Sequence, residues 1–194
     1  MSSRPDYVFT RDFLDDNRIW LLDLAIPEDL VGAYDVVHIR SFAFVLLDEE
    51  IPQVLRNLVD LIKPGGYLQW GEADVASFRI ESADPELKTD ALHRLLRVSQ
   101  PQDARLSPEW VPSLPKLFAE SGLVNTESDD REMPAALAYF IHECNLMIHE
   151  LLIRQTQNKE VAKTVGDLMP EVTAETKKGA WWAFTRWTVI GRKL

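Results

Sequence analysis

Two stretches, YDVVHIR at 34–40 and LIKPGGYLQWGEAD at 61–74, decide how this chain folds. The near-continuous apolarity of Tyr34 to Ile39 is the pattern of a strand buried on both faces of a parallel sheet. Ser41 to Leu47 then leads to Asp48, a good N-cap. From there Ile51, Val54, Leu55, Leu58, Val59 and Ile62 recur at helical spacing, which predicts a helix laying one face on a sheet. Lys63-Pro64-Gly65-Gly66 ends it, because proline cannot continue a helix and glycine permits a left-handed turn into the next strand. That strand is Tyr67 to Glu72. Residues 34 to 72 thus read as strand, helix, strand, at the length a βαβ crossover needs.

Working outward, Tyr7 to Thr10 is a short strand-like run, and Ile19 to Ile26 is an apolar stretch closed by Pro27. On the other side, residues 84 to 121 read as two helices joined by a proline-containing loop. Pro85 opens the first, Ser107-Pro108-Glu109 starts the second, and Gly122 ends it. Leu123 to Met133 is a polar edge strand. Leu137, Phe140, Ile141, Cys144, Met147, Ile148, Leu151 and Leu152 mark a long amphipathic helix, followed by a shorter one over Lys159 to Leu168. Ala180 to Ile190, rich in Trp, Phe, Thr and Val, reads as a final strand. With no repeat or flexible linker, the expectation is a single domain over 1–194 with helical insertions at about 84–121 and 135–168.

Composition narrows the function. The 194 residues carry 21 Lys and Arg against 31 Asp and Glu, and no basic run interrupts the net charge of −10, which disfavours nucleic acid and anionic membranes as partners. The single cysteine, Cys144, allows no internal disulfide and closes no thiolate zinc site, and within an apolar helical stripe it is expected as a buried, inert thiol. No apolar run approaches the roughly 20 residues that span a bilayer, and the first residues lead into no signal-peptide core. A cytoplasmic protein is expected.

The run from 34 to 74 resembles the second half of a class I S-adenosylmethionine-dependent methyltransferase, with its nearest likeness among the methyltransferase-like proteins of fungal secondary metabolism. The resemblance continues back to FTRDFL at 9–14, similar to the end of the family's third strand, and forward to 123–133 and 180–192, similar to its last two strands. It implies an α/β fold with a partial Rossmann-like sheet, S-adenosylmethionine as cofactor, and a small secondary-metabolite substrate. It also implies that Asp12 accepts a hydrogen bond from the adenine amino group and that Phe13 offers it backbone and ring contact. In the family, a glycine-rich turn after the first strand holds the methionine part of the cofactor, and an acidic residue ending the second strand grips the ribose. Here no glycine precedes Gly32 and no G-x-G occurs. The expectation is a truncated domain lacking the first two strands, with an incomplete cofactor site. Because those strands lie between the third and the fourth, Tyr34 to Ile39 becomes a sheet edge. A rearranged N-terminus, a second copy of the chain or a complementing protein would cover it. The alternative to methyl transfer is a pseudo-enzyme that catalyses a rearrangement or cyclisation, or a partner-binding half-domain.

Ligands gather outside the carboxyl ends of parallel strands. At the end of the first strand of the βαβ unit stand His38, a candidate base, and Arg40, a candidate binder of carboxylate or phenolate, followed by Ser41. At the end of the second stand Trp70, Glu72 and Asp74. Glu72 and Asp74 alternate toward one side, Glu72 as a catalytic candidate and Trp70 and Asp74 as substrate contacts. His142, Asn145 and His149 share one flank of the long helix and are candidates for lining a substrate pocket. They are not read as a metal site, since the histidines are seven residues apart and Glu143 and Glu150 point a quarter-turn away. Trp110, Trp181, Trp182 and Trp187 are expected in the core.

Overall fold

A computed structural model describes residues 26–102 and 104–194. The expected strand at Tyr7 to Thr10, the adenine-facing Asp12 and Phe13, and all but the last residue of Ile19 to Ile26 lie outside the described residues.

The predicted βαβ unit is present. Strand β1 (Tyr34–Arg40) leads through a short loop to helix α1 (Ile51–Leu61), and the chain passes directly into strand β2 (Ile62–Ala73), parallel to β1. The Glu50 carboxylate accepts the Leu47 N–H (2.9 Å), and Pro52 sits in the first turn of α1, where its missing N–H costs nothing. Ile51, Val54, Leu55, Leu58 and Leu61 are buried, as their spacing requires. Strand β2 begins at Ile62, five residues before the expected Tyr67. Lys63-Pro64-Gly65-Gly66 belongs to the strand as an irregular start, where the register with β1 shifts between Tyr34 and Val36. Gly65 takes a positive φ of 85°. A Cβ on Gly66 would lie 2.7 Å from both the Asp35 carbonyl oxygen and Ile62 Cγ2, so only glycine allows this approach of backbone to backbone.

After a short strand β3 (Arg79–Ser82) come helix α2 (Asp90–Ser99), helix α3 (Leu114–Glu120), strand β4 (Leu123–Glu132), helix α4 (Ala135–Gln155), helix α5 (Lys159–Lys177), strand β5 (Ala180–Ala183) and strand β6 (Thr185–Lys193). The main sheet has the order β1-β2-β6-β4, with β6 antiparallel to both neighbours; β3 and β5 pair antiparallel as a second, two-stranded sheet.

Several expectations are corrected here. The final strand is two strands in two sheets, separated at Phe184. The junction is fixed by Thr185, whose N–H donates to Ser77 Oγ (2.8 Å) and whose carbonyl accepts the Asp74 N–H (2.9 Å). β-propensity marks a strand but does not say which neighbours it will find. Helix α2 starts at Asp90, not Pro85, and its exposed first amides, Ala91 and Leu92 N–H, are capped from a distance by the Glu175 carboxylate of α5 (2.9 Å each). Ser107-Pro108-Glu109 is not helical, and α3 begins at Leu114 with Pro115 in its first turn. Helix α5 runs through Pro170 to Lys177. Burial of Val172 and Thr176 on the far side holds the turn that the proline would otherwise loosen.

Two cores result. Ile39, Leu68, Trp70 and Val189 on one face of the main sheet pack with Leu55, Leu58, Leu114 and Phe118 of α1 and α3. The second core joins α2, α4 and α5 around Trp182 of β5. Strand β1 is buried on one face only: Ile39 is 6% exposed, but Val36 on the other face is 58% exposed, so its apolar run does not mean two-sided burial. Among the described residues β1 has one hydrogen-bonded neighbour, β2.

Candidate functional site

Side chains alternate across a strand, so the sheet sorts its residues by parity. The face opposite α1 and α3 carries His38 and Arg40 of β1, Gln69, Gly71 and Ala73 of β2, and Arg186 and Thr188 of β6. All of them line a cleft of about 520 Å³. The register sets Arg40 beside Gly71 and Gly71 beside Thr188, with Arg186 beside Ala73. Helix α4 forms the opposite wall with Leu137, Ile141, Cys144 and Ile148, whose spacing of four, three and four residues keeps them on one flank. Cys144 is therefore half-buried at a cleft wall, not an enclosed core thiol.

The loop after β1 is held by a single carboxylate. Ser41 takes a left-handed φ of 62°, uncommon outside glycine, and its N–H donates to the Gly71 carbonyl (3.1 Å). The next two amides, Phe42 and Ala43 N–H, donate to Glu72 at 2.5 and 3.1 Å, and the Trp70 indole N–H donates to the same carboxylate at 2.7 Å. Burial raises the Glu72 pKa above its ordinary value, and the hydrogen bonds from Trp70, Phe42, Ala43 and the Ala73 backbone offset only part of that rise. Glu72 borders the cleft, but both of its oxygens are committed to the loop and the indole. It acts as a clasp that sets the conformation of Arg40-Ser41-Phe42.

Of the sequence candidates, His38, Arg40 and Glu72 come together at this cleft, with Asn145 on its far wall. Ser41 lines it as well, and the other described candidates are placed elsewhere. Trp70 points to the covered face, is fully buried, and packs edge-on against Trp110 at 5.4 Å between centroids, so it is core and not a substrate contact. Asp74 caps the short turn at Val75–Ser77 by accepting the Ala76 N–H (3.1 Å) and does not line the cleft. His142 is fully buried, with Nε2 2.9 Å from Thr176 Oγ1, and does not line the cleft either. His149 Nε2 lies 3.1 Å from Ser99 Oγ beside a separate small cavity of about 40 Å³. The two imidazoles flank the Trp182 ring at 4.9 and 5.1 Å, and burial lowers both pKa values to about 4, so both are neutral at neutral pH. Helical spacing correctly put these two histidines on one flank, but that flank faces the second core. Trp110, Trp181 and Trp182 are buried as expected, and Trp187 is half-buried. Among the described residues no three His, Cys, Asp or Glu side chains stand close enough to hold a metal ion.

Sequence reading missed Gln69, Gly71, Arg186 and Thr188. The signal was the two-residue alternation along β2 and β6, but the break at Phe184 resets the phase of the last strand, and a phase counted from Ala180 does not carry across it.

The parallel βαβ unit, the mixed sheet and a cleft at the carboxyl ends of β1 and β2 define the class of fold, a Rossmann-like α/β architecture. The chain is similar, at 40% identity over 60 residues, to Methyltransferase grgD of a Penicillium species; the match covers 30% of this chain and 21% of that relative. Among solved structures it is similar to the YcgJ protein of Bacillus subtilis (12% identity, 89% of this chain and 68% of that one, TM-score 0.46). It is similar also to the [4+2]-cyclase SpnF (13% identity, 89% and 53%, TM-score 0.43). No family model matches the chain. No helix among the described residues is long and apolar enough to cross a membrane.

Proposed function

We propose that this chain is a methyltransferase-family protein that holds a small organic substrate in the cleft between the main sheet and α4, with S-adenosylmethionine as the cofactor of the reading. The observation that carries it is the cleft itself, a concave apolar site at the carboxyl ends of two parallel strands with a few convergent polar groups, His38, Arg40, Gln69 and Arg186. When bound, the cofactor would supply an electrophilic methyl group. The chain's own part would be to orient an O, N or C nucleophile, with His38 placed to take up its proton.

The described residues do not fit the whole cofactor. Its methionine part needs free backbone amides at a closely approaching turn. In the family that turn follows the first strand and is glycine-rich, and no G-x-G occurs in this sequence; the turn after β1, which resembles the family's fourth strand, does not stand in for it, since two of its amides are bound to Glu72. That observation favours a second reading, in which the cleft acts without methyl transfer, on a rearrangement or cyclisation, or gains its missing wall by pairing of β1 with a second copy or a complementing protein.

Calorimetric titration with S-adenosylhomocysteine separates the two. Micromolar binding by the chain supports the first reading; no heat at millimolar ligand removes it and leaves the second. Size-exclusion chromatography then tells a self-sufficient monomer from a pairing half-site.

A further inference from the structure

Resting on the reading that the cleft holds a small organic molecule, we propose that its occupant is an organic anion with an apolar body, a carboxylate or phenolate whose charged end lies over Gly71 between Arg40 and Arg186. Strands β1 and β6 flank β2, so the two arginines rise from either side of the β2 floor, in rows two residues apart. Both line the cleft and both are exposed.

The charge pattern and the cleft together mark them. The chain has 31 acidic against 21 basic residues, and Arg79, Arg94, Arg131 and Arg154 each have a carboxylate partner. The side chains of Arg40 and Arg186 have neither an ion pair nor a hydrogen bond among the described residues. Among the described residues the one carboxylate that borders the cleft, Glu72, is 2% exposed and tied to two amides and an indole. Two guanidinium groups thus face a concave space in which no described residue supplies an uncommitted anion, and guanidinium is the side chain best suited to bidentate pairing with a carboxylate.

Gly71 supplies the second, independent observation. A glycine inside a strand weakens it and often marks close approach by a ligand or another backbone. Its φ is not positive, and a Cβ there would meet only Arg40 Cβ at 3.8 Å and the Trp187 carbonyl at 3.9 Å, both ordinary contacts. The fold therefore does not require glycine at this position. What the missing side chain leaves is a clear floor between Arg40 and Thr188. Beyond it, Phe44, Phe78 and Phe184 with Ile141 and Ile148 of α4 provide the surface for an apolar body.

The test is calorimetric titration of the full chain, without cofactor, with 2-naphthoate and with 2-naphthylmethanol, which share a ring system and differ in charge. The acid is expected to bind at least about tenfold more tightly than the alcohol. R40Q/R186Q should bring the acid down to the alcohol's affinity and leave the alcohol unchanged. Gly71→Leu, with its fold checked by circular dichroism, should lose both ligands. Equal affinity for acid and alcohol, no binding of either at millimolar concentration, or an acid preference that survives R40Q/R186Q would overturn the proposal. Acid-selective binding without any response to S-adenosylhomocysteine removes the methyl-donor reading and keeps the anion site; the reverse pattern removes the anion site and keeps that reading.

Discussion

The two faces of the main sheet come from the same strands and meet opposite fates. On one, Ile39, Leu68, Trp70 and Val189 are sealed by α1 and α3 and none is more than 6% exposed. On the other, Tyr34 and Val36 of β1 and Tyr67 of β2 remain 43%, 58% and 41% exposed, and His38, Arg40 and Arg186 line an open cleft. The covered face is apolar and fills space. The open face mixes arginine and histidine with aromatic and aliphatic side chains, and Val36 sits directly beside Tyr67 in the register. A strand pair that alternates this way supplies a stabilising layer and a chemical surface from one set of backbone hydrogen bonds.

The largest expected effect lies on the covered face. Trp70→Ala removes a fully buried ring, its edge contact with Trp110 and a donor to Glu72, and should cost about 3–5 kcal/mol of unfolding free energy in urea titration. A loss below about 1 kcal/mol would mean that this face is not the core.

Acid should act next, through the second core behind the cleft wall. His142 and His149 have pKa values lowered to about 4 by burial, below the ordinary 6.5 of an unfolded chain. The unfolded state therefore binds more protons between these values, and stability falls as the pH drops below about 6.5, by about 3 kcal/mol for the two by pH 5.5. The described groups packed on them are Thr176, Ser99, the Asn145 carbonyl and the rings of Tyr139 and Trp182, so among the described residues no carboxylate pairs with them to offset the loss. Glu72, with a raised folded pKa, works in the opposite sense near the acid end of the range. Unfolding midpoints measured from pH 8 to pH 5 check the slope, and a flat profile would show these histidines to be solvated.

The smallest effect is expected on the open face. Val36→Thr nearly conserves volume at a position 58% exposed, and should change stability by less than about 0.5 kcal/mol. A loss near 2 kcal/mol in thermal unfolding would show instead that something covers Val36 in solution, and would erase the contrast between the faces.

Much of the architecture was legible in the residues. The helical stripe from Ile51 and the glycines at 65 and 66 foretold the βαβ unit, because helix periodicity and left-handed turns are local properties. His38 and Arg40 could be placed at a strand end for the same reason. For Glu72 the sequence shows an acidic group at a strand exit, while its occupation by the Phe42 and Ala43 amides depends on a loop 29 and 30 residues away folding back on it. His142 and His149 were correctly placed on one flank and assigned to the wrong neighbour, since an amphipathic pattern reports which residues share a face but not what packs there.

What the residue order settled, then, was the class of fold and the positions of turns and stripes, all governed by interactions between residues a few places apart. Packing of distant segments settled the rest: the splitting of 180–190 into two sheets, the sealing of Trp70 on one side, and the placing of Arg40 and Arg186 at one cleft. The physical reason is that backbone hydrogen bonding specifies a strand without naming its partner. Only the choice of partner, made by burial of the covered face, determines which alternate side chains are left facing the cleft.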